Sequence, residues 1–182
     1  MADQRETSGK IGATDRSGAT HRSGATRRGG TADQIAVTIA PFTMDDFPVV
    51  HVLWQRSGLC MRPSDGPEQT LLKLARDPEL FLVARDSSGA IVGTVMGGWD
   101  GRRAYVYHLA VVPERQRQGI AGRLMDELEG RFRKIGALKA KLQIVNDNEA
   151  SRAFFTARGY ELESFCEPWG KQLAEGGAPP TR

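Results

Sequence analysis

The chain has 182 residues, of which 40% are hydrophobic and 26% charged, a balance typical of a globular protein with one core. Its net charge of +3 equals the excess of six Lys or Arg over three acids in residues 1–31, so the remainder is neutral and a nucleic-acid-binding body is disfavoured. No apolar run approaches the roughly 18 residues of a membrane span, and the N-terminus lacks the apolar core of a signal peptide, so a cytoplasmic protein is expected.

Residues 1–31 form a low-complexity segment of small, polar and basic residues. The hexapeptides GATDRS, GATHRS and GATRRG follow one another from Gly12 to Gly29. Because such a segment has almost nothing to bury, we expect a disordered basic tail. Weak contact with an anionic polymer is the alternative to a purely solvated leader, and the composition favours the leader.

From residue 32 to residue 182 the pattern is that of a single α/β domain of roughly 150 residues. The stretch IAVTIAPF is β-branched and alternating, which predicts a strand that Pro41 ends. Thr43 as an N-cap, with Asp46 three residues later, predicts a helix that continues through Arg56. A second helix, EQTLLKLARD, is entered through Pro67.

Two strands and a third, longer one follow. FLVAR and AIVGTVMGG flank the turn DSSG, in which Asp86 and Gly89 supply residues typical of a hairpin. YVYHLAVV is the longer strand. In a strand, alternation sends Tyr105 and Tyr107 to one face of the sheet and His108 to the other.

The last part of the chain alternates between helix and strand. A long helix has an apolar face and, on its other side, the i,i+4 pairs Glu127–Arg131 and Glu129–Arg133. The apolar face consists of Leu124, Met125, Leu128, Phe132 and Ile135. KAKLQIV, a helix over NEASRAFFTARG and the strand YELESF complete the order β-α-α-β-β-β-α-β-α-β, which predicts a mixed central sheet with helices on its faces.

The two cysteines, Cys60 and Cys166, lie far apart and show no CxxC or His/Cys spacing. Neither a disulfide framework nor a metal site is therefore expected. Reduced thiols without a chemical role are the favoured interpretation.

The segment VVPERQRQGIAGRLMDELE places Gly119 and Gly122 where the long helix begins. Glycine costs about 1 kcal/mol relative to Ala inside a helix, so a compensating use is expected. The N–H groups of a helix N-terminus bind anions, and a glycine there lets a phosphate oxygen approach the backbone. GxxxxGK[ST] is absent, as is GxGxxG after the first strand, so the sequence predicts a phosphate-binding turn of a third kind.

LAVVPERQRQGIAGRLM resembles the acetyl-CoA-binding motif of the GNAT N-acetyltransferases, in which Arg or Gln is followed by two residues, Gly, one residue, and Gly or Ala. Gln116, Gly119 and Ala121 fill that pattern. NDNEASRAFFTARGYE resembles the second motif of the family, an Asn followed by a helix that ends in Gly and an aromatic residue. The segment from Leu80 to Ala121 is also similar to the small bacterial YpeA-like subgroup. The resemblance covers roughly residues 35–173 and implies the GNAT fold.

The resemblance implies acetyl-CoA as cosubstrate and a set of residues that bind it. The backbone of Leu109, Ala110 and Val111 would run alongside the pantetheine arm, and Asn148 would reach the pantetheine side. The residues implied to wrap the pyrophosphate are Arg117, Gln118, Gly119, Ile120, Ala121 and Gly122. Either Arg152 or Arg158 would meet the nucleotide phosphates, or both are ordinary solvated arginines.

The catalytic residues of the family are not reproduced. Phe155 stands where many GNAT enzymes have a Tyr that protonates the departing thiolate, and Phe has no proton to donate. Gln143 stands where related N-terminal acetyltransferases have a Glu base. Acetylation by that combination of residues is therefore in doubt.

Three substitutes remain as candidate catalytic residues. His108 has a side chain that can take a proton near neutral pH, although a packed or exposed His is the alternative. Tyr107 lies on the same strand, and Asp100 could hold an ammonium group or simply close the turn in WDGR. A positioned thioester donor also permits direct attack without a dedicated acid.

Three functions of different classes are compatible with these observations. The first is an N-acetyltransferase that acts on an amine of a small molecule or protein by direct attack. The second is a CoA-binding sensor or regulator with little catalysis, which Phe155 and Gln143 favour. The third is an interaction protein that uses its basic tail. A homodimer is compatible with all three, and neither a membrane nor nucleic acid is an expected partner.

Overall fold

The computed structural model of the protein describes residues 36–171 and residue 173. The predicted tail, residues 1–31, lies outside the described residues. Within the described part of the chain, no helix is long and apolar enough to cross a membrane.

Nine helices and strands make up the described part of the chain. They are β1 (Thr38–Pro41), α1 (Phe47–Arg56), α2 (Pro67–Arg76), β2 (Phe81–Arg85), β3 (Ile91–Trp99), β4 (Ala104–Val111), α3 (Ile120–Lys134), β5 (Ala140–Leu142) and α4 (Glu149–Ala157). Single turns of 3-10 helix lie at Met44–Asp46, Pro63–Asp65 and Pro113–Arg115. The order of these elements is the predicted one up to α4.

The strands form one five-stranded sheet in the order β1-β2-β3-β4-β5. Neighbours are antiparallel from β1 to β4, and β4 and β5 are parallel. A parallel pair needs a crossover connection, and α3 supplies it between β4 and β5. The predicted mixed α/β sheet, the GNAT fold, is thereby confirmed.

Two apolar clusters cover the two faces of the sheet. On one face α3 and Phe155 of α4 pack against strand residues that include Leu82, Val95 and Val106. On the other face Val50, Leu53 and Trp54 of α1 pack against β2, β3 and Ala110 of β4. The sheet is therefore buried between helices on both sides, as a fold of this class requires.

Gly97 explains how closely α3 approaches the sheet. A Cβ atom at this position would lie 2.6 Å from Leu128 Cδ1 and 2.9 Å from Phe132 Cζ. Both distances are shorter than real Cβ contacts, so a larger residue would force the ends of these two side chains to move. Glycine on β3 therefore leaves room for the apolar face of α3.

Two predictions about the elements were wrong. YELESF is not a strand: it forms no ladder with β5, and Glu163 instead makes side-chain ion pairs with Lys139 and Lys141 (Nζ to Oε2 2.5 Å for Lys141). Ile135 is not part of the buried helix face. It follows the last residue of α3, where the chain turns towards Gly136, and is 42% exposed.

Candidate active site

A β-bulge interrupts β4 in its middle. Between the pairs Thr94–Ala110 and Met96–Tyr107, β3 advances two residues while β4 advances three. His108, inside the bulge, has φ +49°, an unusual value for a residue other than glycine. After the bulge, Ala110 packs with α1 and Val111 with α3, so the extra residue redirects the side chains that follow.

The bulge lies where β4 separates from β5. The two strands pair from Ala104–Ala140 to Val106–Leu142. Beyond that point β4 continues to Val111, and no strand among the described residues pairs with it on that side. This part of β4 therefore presents an open edge, the geometry in which an extended ligand can add itself as a strand.

Backbone alternation decides which residues face the open edge. The Val112 N–H donates to the Val92 carbonyl at 3.0 Å, so Val112 and Ala110 direct their backbone groups towards β3. Leu109 and Val111 then face the open edge. Of the three residues predicted to line a pantetheine arm, Leu109 and Val111 have the required orientation and Ala110 does not.

The turn before α3 has the backbone conformation of an anion site. Arg117 has φ +59° and Gly119, the N-cap of α3, has φ +80°, and residues of this kind turn neighbouring N–H groups into one concavity. A Cβ atom on Gly119 would meet nothing within 4 Å, so the space beside the glycine is open. The first turn of α3, which includes Ile120, Ala121 and Gly122, carries no acid. These residues fit a pyrophosphate group.

Two glutamines brace the same turn. Gln116 Nε2 donates to the Val111 carbonyl at 3.2 Å, which joins the turn to the open edge of β4. Gln118 Nε2 donates to the Glu114 carbonyl at 3.3 Å, while its buried Oε1 has no partner among the described residues. The predicted phosphate loop and the predicted strand edge therefore belong to one continuous site.

Some residues of the second motif, NDNEASRAFFTARGYE, have a structural role. Asn148 is exposed and its Oδ1 accepts the Ser151 N–H at 2.9 Å, so it caps α4. Arg158 Nη2 lies 2.7 Å from Asp126 Oδ1 and 3.1 Å from Glu129 Oε1, so this guanidinium ties α4 to α3 instead of facing solvent. Arg152 lines a cavity of 1410 Å³ next to β4, β5 and α4.

Phe155 is buried in the core and also lines that cavity. It is 7% exposed and makes edge contacts with the rings of Phe154, at 5.1 Å, and Tyr160, at 5.3 Å. Gln143 follows the end of β5 and is exposed. Neither position provides an acid or a base, in agreement with the residue types.

His108 lies on the face opposite to the predicted one. Its ring packs at 4.6 Å from that of Trp54 on α1, and Met96, which pairs with Tyr107, belongs to the same α1 cluster. The bulge cancels one step of the alternation, so the side chains of Tyr107 and His108 share a face. Trp54 is fully buried, and its indole N–H has no partner among the described residues.

His108 is paired with Asp65, a residue that the sequence analysis missed. His108 Nε2 lies 3.1 Å from Asp65 Oδ1, and the Arg62 N–H donates to Asp65 Oδ2 at 2.7 Å. Burial alone raises the pKa of Asp65, but the contacts with His108 and Arg62 outweigh it and hold this pKa below its ordinary value. Pro63, with an acid two residues later, was the available signal of a capped turn.

The other two candidate catalytic residues differ in their surroundings. Tyr107 is 45% exposed, directly follows the last β4–β5 pair and stacks on Tyr105. Burial, followed by the influence of Tyr105, Asp100 and Asp77, raises its pKa. Asp100 Oδ1 accepts the N–H groups of Arg102 and Arg103 at 2.7 and 2.6 Å, so its carboxylate closes the β3–β4 turn.

Comparisons with known proteins agree with this geometry. The model of the acetyltransferase (GNAT) family matches residues 47–160. The chain is 39% identical over 138 residues to an acetyltransferase of Sodalis glossinidius (strain morsitans), a match that covers 75% of this chain and 96% of that protein. It is 42% identical over 135 residues to an acetyltransferase of Pectobacterium atrosepticum, with coverages of 74% and 94%.

Solved structures share the fold. Ard1 from Thermoplasma volcanium superposes with a TM-score of 0.65 at 24% identity, covering 71% of this chain and 86% of its own. The PaiA N-acetyltransferase from Thermoplasma acidophilum, in complex with coenzyme A, gives 0.62 at 20% identity, with coverages of 71% and 92%. These two likenesses show the fold, and the family model and the bacterial relatives establish that the chain belongs to the GNAT family of acetyltransferases, whose cosubstrate is acetyl-CoA.

Proposed function

We propose that the protein transfers the acetyl group of acetyl-CoA to an amine by direct attack of the amine nitrogen. The observation that carries this proposal is the continuity between the open edge of β4, at Leu109 and Val111, and the glycine turn that begins α3. The acceptor is an amine of a small molecule or of a protein.

The donor site is assigned to backbone groups. Leu109 hydrogen-bonds the pantetheine arm through the groups that face away from β3. Val111 does so through its N–H alone, because its carbonyl already accepts Gln116 Nε2 and the Ser57 hydroxyl. The N–H groups of residues 117–122 bind the pyrophosphate, supported by the positive φ values of Arg117 and Gly119. Asn148 is kept as a ligand only through Nδ2 of its side chain, because Oδ1 already caps α4 and its backbone groups bond to Val145 and Arg152.

The chemistry follows from these positions. Acetyl-CoA supplies an activated acetyl group as a thioester. An N–H of the open β4 edge polarises the acetyl carbonyl, because a fixed donor stabilises the charge that develops on oxygen. Direct attack is favoured because His108 is paired with a carboxylate and not with a thiol or hydroxyl that would act as nucleophile.

A second candidate function is a CoA-binding sensor with little catalysis. Phe155 and Gln143 favour it, since both replace groups that donate or accept protons in related enzymes. It differs from the first in predicting acetyl-CoA binding without thiol release in the presence of amines.

The subgroup, the cellular location and the oligomeric state are also proposals. Identities of about 40% to bacterial acetyltransferases that the match covers almost entirely support membership of the YpeA-like subgroup. The free, exposed thiols of Cys60 and Cys166 support the reducing cytoplasm as location. A homodimer remains compatible with these observations.

The experiment combines thermal melting with a thiol-release assay. Acetyl-CoA at 100 times its dissociation constant stabilises the folded protein by about 2.7 kcal/mol, so the melting temperature rises by several degrees, whereas ATP as a control polyanion gives a smaller rise. A panel of small amines and peptides then releases free thiol from acetyl-CoA. Binding without release from any amine would favour the sensor, and the absence of a melting shift would contradict both functions.

A further inference from the structure

The pair formed by Asp65 and His108 is a built arrangement and not a chance surface contact. Asp65 is 8% exposed and occupies the last position of the 3-10 turn Pro63–Asp65. Its Oδ2 accepts the Arg62 N–H at 2.7 Å, and its Oδ1 lies 3.1 Å from His108 Nε2. Both carboxylate oxygens are thus engaged, and the imidazole is held by a fixed partner.

The pairing determines the form of the imidazole. A carboxylate can only accept hydrogen bonds, so a neutral His108 must carry its proton on Nε2 when it faces Asp65. The lone pair then lies on Nδ1. A carboxylate that orients one nitrogen of an imidazole, and leaves the other to take a proton, is the arrangement of a catalytic base.

The position of His108 places this base at the open edge. His108 lies in the bulge, one peptide bond before Leu109, whose backbone faces away from β3. The ring of Trp54 packs against it from α1, and the loop that carries Asp65 closes the same side. The imidazole therefore stands beside the place where the proposed function puts the acetyl carbonyl.

We propose that His108 is the base that deprotonates the acceptor amine and that Asp65 is the residue that positions it. The inference rests on the proposed function, and it assigns the proton acceptor that Gln143 does not provide. The acceptor amine then approaches from the side of the α1–α2 loop, which contains Asp65.

Loss of a proton from the acceptor nitrogen precedes the transfer of the acetyl group. Nδ1 of His108 takes one proton from the ammonium form of the acceptor, and the nitrogen lone pair forms the C–N bond with the acetyl carbon. The C–S bond breaks, and the sulfur leaves with the bonding pair as a thiolate. The second proton of the nitrogen and the proton held by His108 pass to solvent, so one amide and one thiolate are formed for each thioester consumed.

The charged and titratable groups around the imidazole are few among the described residues. Asp65 and Arg62 approach from the α1–α2 loop, and Tyr107 precedes His108 on β4. The contribution of α1 is the uncharged ring of Trp54. Among the described residues, Asp65 is thus the charged group that contacts the imidazole directly.

The first test is the pH profile of kcat/KM with the best amine from the thiol-release panel. His108→Gln is expected to lower kcat/KM by about 10²–10⁴-fold and to abolish the wild-type acidic limb due to His108, while KM for acetyl-CoA is unchanged. Asp65→Asn lowers kcat/KM without changing KM for acetyl-CoA, and Asp65→Glu, which keeps the charge, restores part of the activity. Asp46→Asn is the matched control, because Asp46 is also buried and ion-paired but lies at the start of α1, and its profile equals that of the wild type.

The second test is independent of turnover. The chain has three histidines, so nitrogen-15 NMR of labelled protein assigns the His108 imidazole by its loss in His108→Gln. We expect the Nε2–H form in the wild type and in Asp46→Asn, and a loss of this preference in Asp65→Asn. An Nδ1–H form in the wild type, or the same tautomer populations in Asp65→Asn, would overturn the pairing. An acidic limb retained in His108→Gln would overturn the base role, and a melting shift without thiol release would instead overturn the proposed transfer.

Discussion

Two turns of the molecule have the same internal hydrogen bond, but their Asp residues pair with different side chains. The first, residues 43–46, precedes α1, and the second, residues 62–65, precedes α2. In each, an Asp in the last position accepts the N–H of the residue three positions earlier through Oδ2, and each Asp is buried. Oδ1 of Asp46 lies 2.6 Å from Arg85 Nη2 on β2, whereas Oδ1 of Asp65 lies 3.1 Å from His108 Nε2 on β4.

Because of this difference, one turn has a structural role and the other can take part in proton transfer. Arg85 keeps its charge at all ordinary pH values, so its pair with Asp46 can only hold the helix to the sheet. An imidazole, unlike a guanidinium, can take up and release a proton at ordinary pH, and the turn that holds His108 lies beside the open edge of β4. The same local motif therefore supports the fold at one place and proton transfer at the other.

The largest expected effect comes from making the second turn like the first. His108→Arg supplies a permanent positive charge to Asp65 and removes the base, so kcat/KM should fall by about 10²–10⁴-fold with acetyl-CoA affinity retained. Steady-state kinetics and a melting curve measure the two properties. Arg85→His is the reciprocal control, and it should leave kcat/KM unchanged. Full activity in His108→Arg would contradict the comparison.

A smaller effect is expected in the acid dependence of stability. The pKa of Asp65 is depressed in the folded state, so its contribution to stability is present above the unfolded pKa of about 3.9 and is lost as pH falls through the folded pKa. Asp65→Asn should lower the free energy of unfolding by about 1–2 kcal/mol at pH 7. Urea denaturation at pH 7 and at pH 3 measures this, and the deficit should shrink at pH 3. A deficit that grows towards low pH would show that the sign is wrong.

The smallest effect concerns the buried ring that faces the cavity. Phe155→Tyr adds a hydroxyl that can protonate the departing thiolate, and we expect kcat to rise only a few-fold, since the enzyme already releases thiolate by another route. The affinity for acetyl-CoA should not change, because the ring keeps its packing. Phe154→Tyr, on the same helix, is the matched control and should leave kcat unchanged. A fall in both kcat and affinity for Phe155→Tyr would show that position 155 is not beside the sulfur.

Local patterns made most of the fold predictable. The periodicity of α3 and the turn residues Asp86 and Gly89 are short-range signals, and the structure confirms both elements. The alternating segment after α4 shows the limit of such signals. Its pattern is that of a strand, but its contacts with β5 are ion pairs of Glu163, which sequence alternation does not reveal.

The sequence indicated the position of the glycine turn. It did not indicate the contacts that distant parts of the chain make at the site. Gly119 lies at the start of the long helix, as the sequence analysis predicted, and the structure adds that its φ is positive. The face of His108 was wrong because a bulge adds a residue without a sequence signature in YVYHLAVV. Asp65 was missed because its partner is 43 residues away, and only tertiary structure brings the two together.

The proposed transfer requires acetyl-CoA to lie along β4 with its pyrophosphate at the start of α3. Isothermal titration of acetyl-CoA into Gly119→Glu and Gly119→Ala tests this directly, since both variants share the cost of a positive φ and only Glu adds bulk and negative charge. Both should remain folded, as their melting curves will show, because no atom lies within 4 Å of the added Cβ. We predict that Gly119→Glu binds at least about 100-fold more weakly than Gly119→Ala, a difference of about 2.7 kcal/mol. Equal affinities in two folded variants would contradict the assignment of the site.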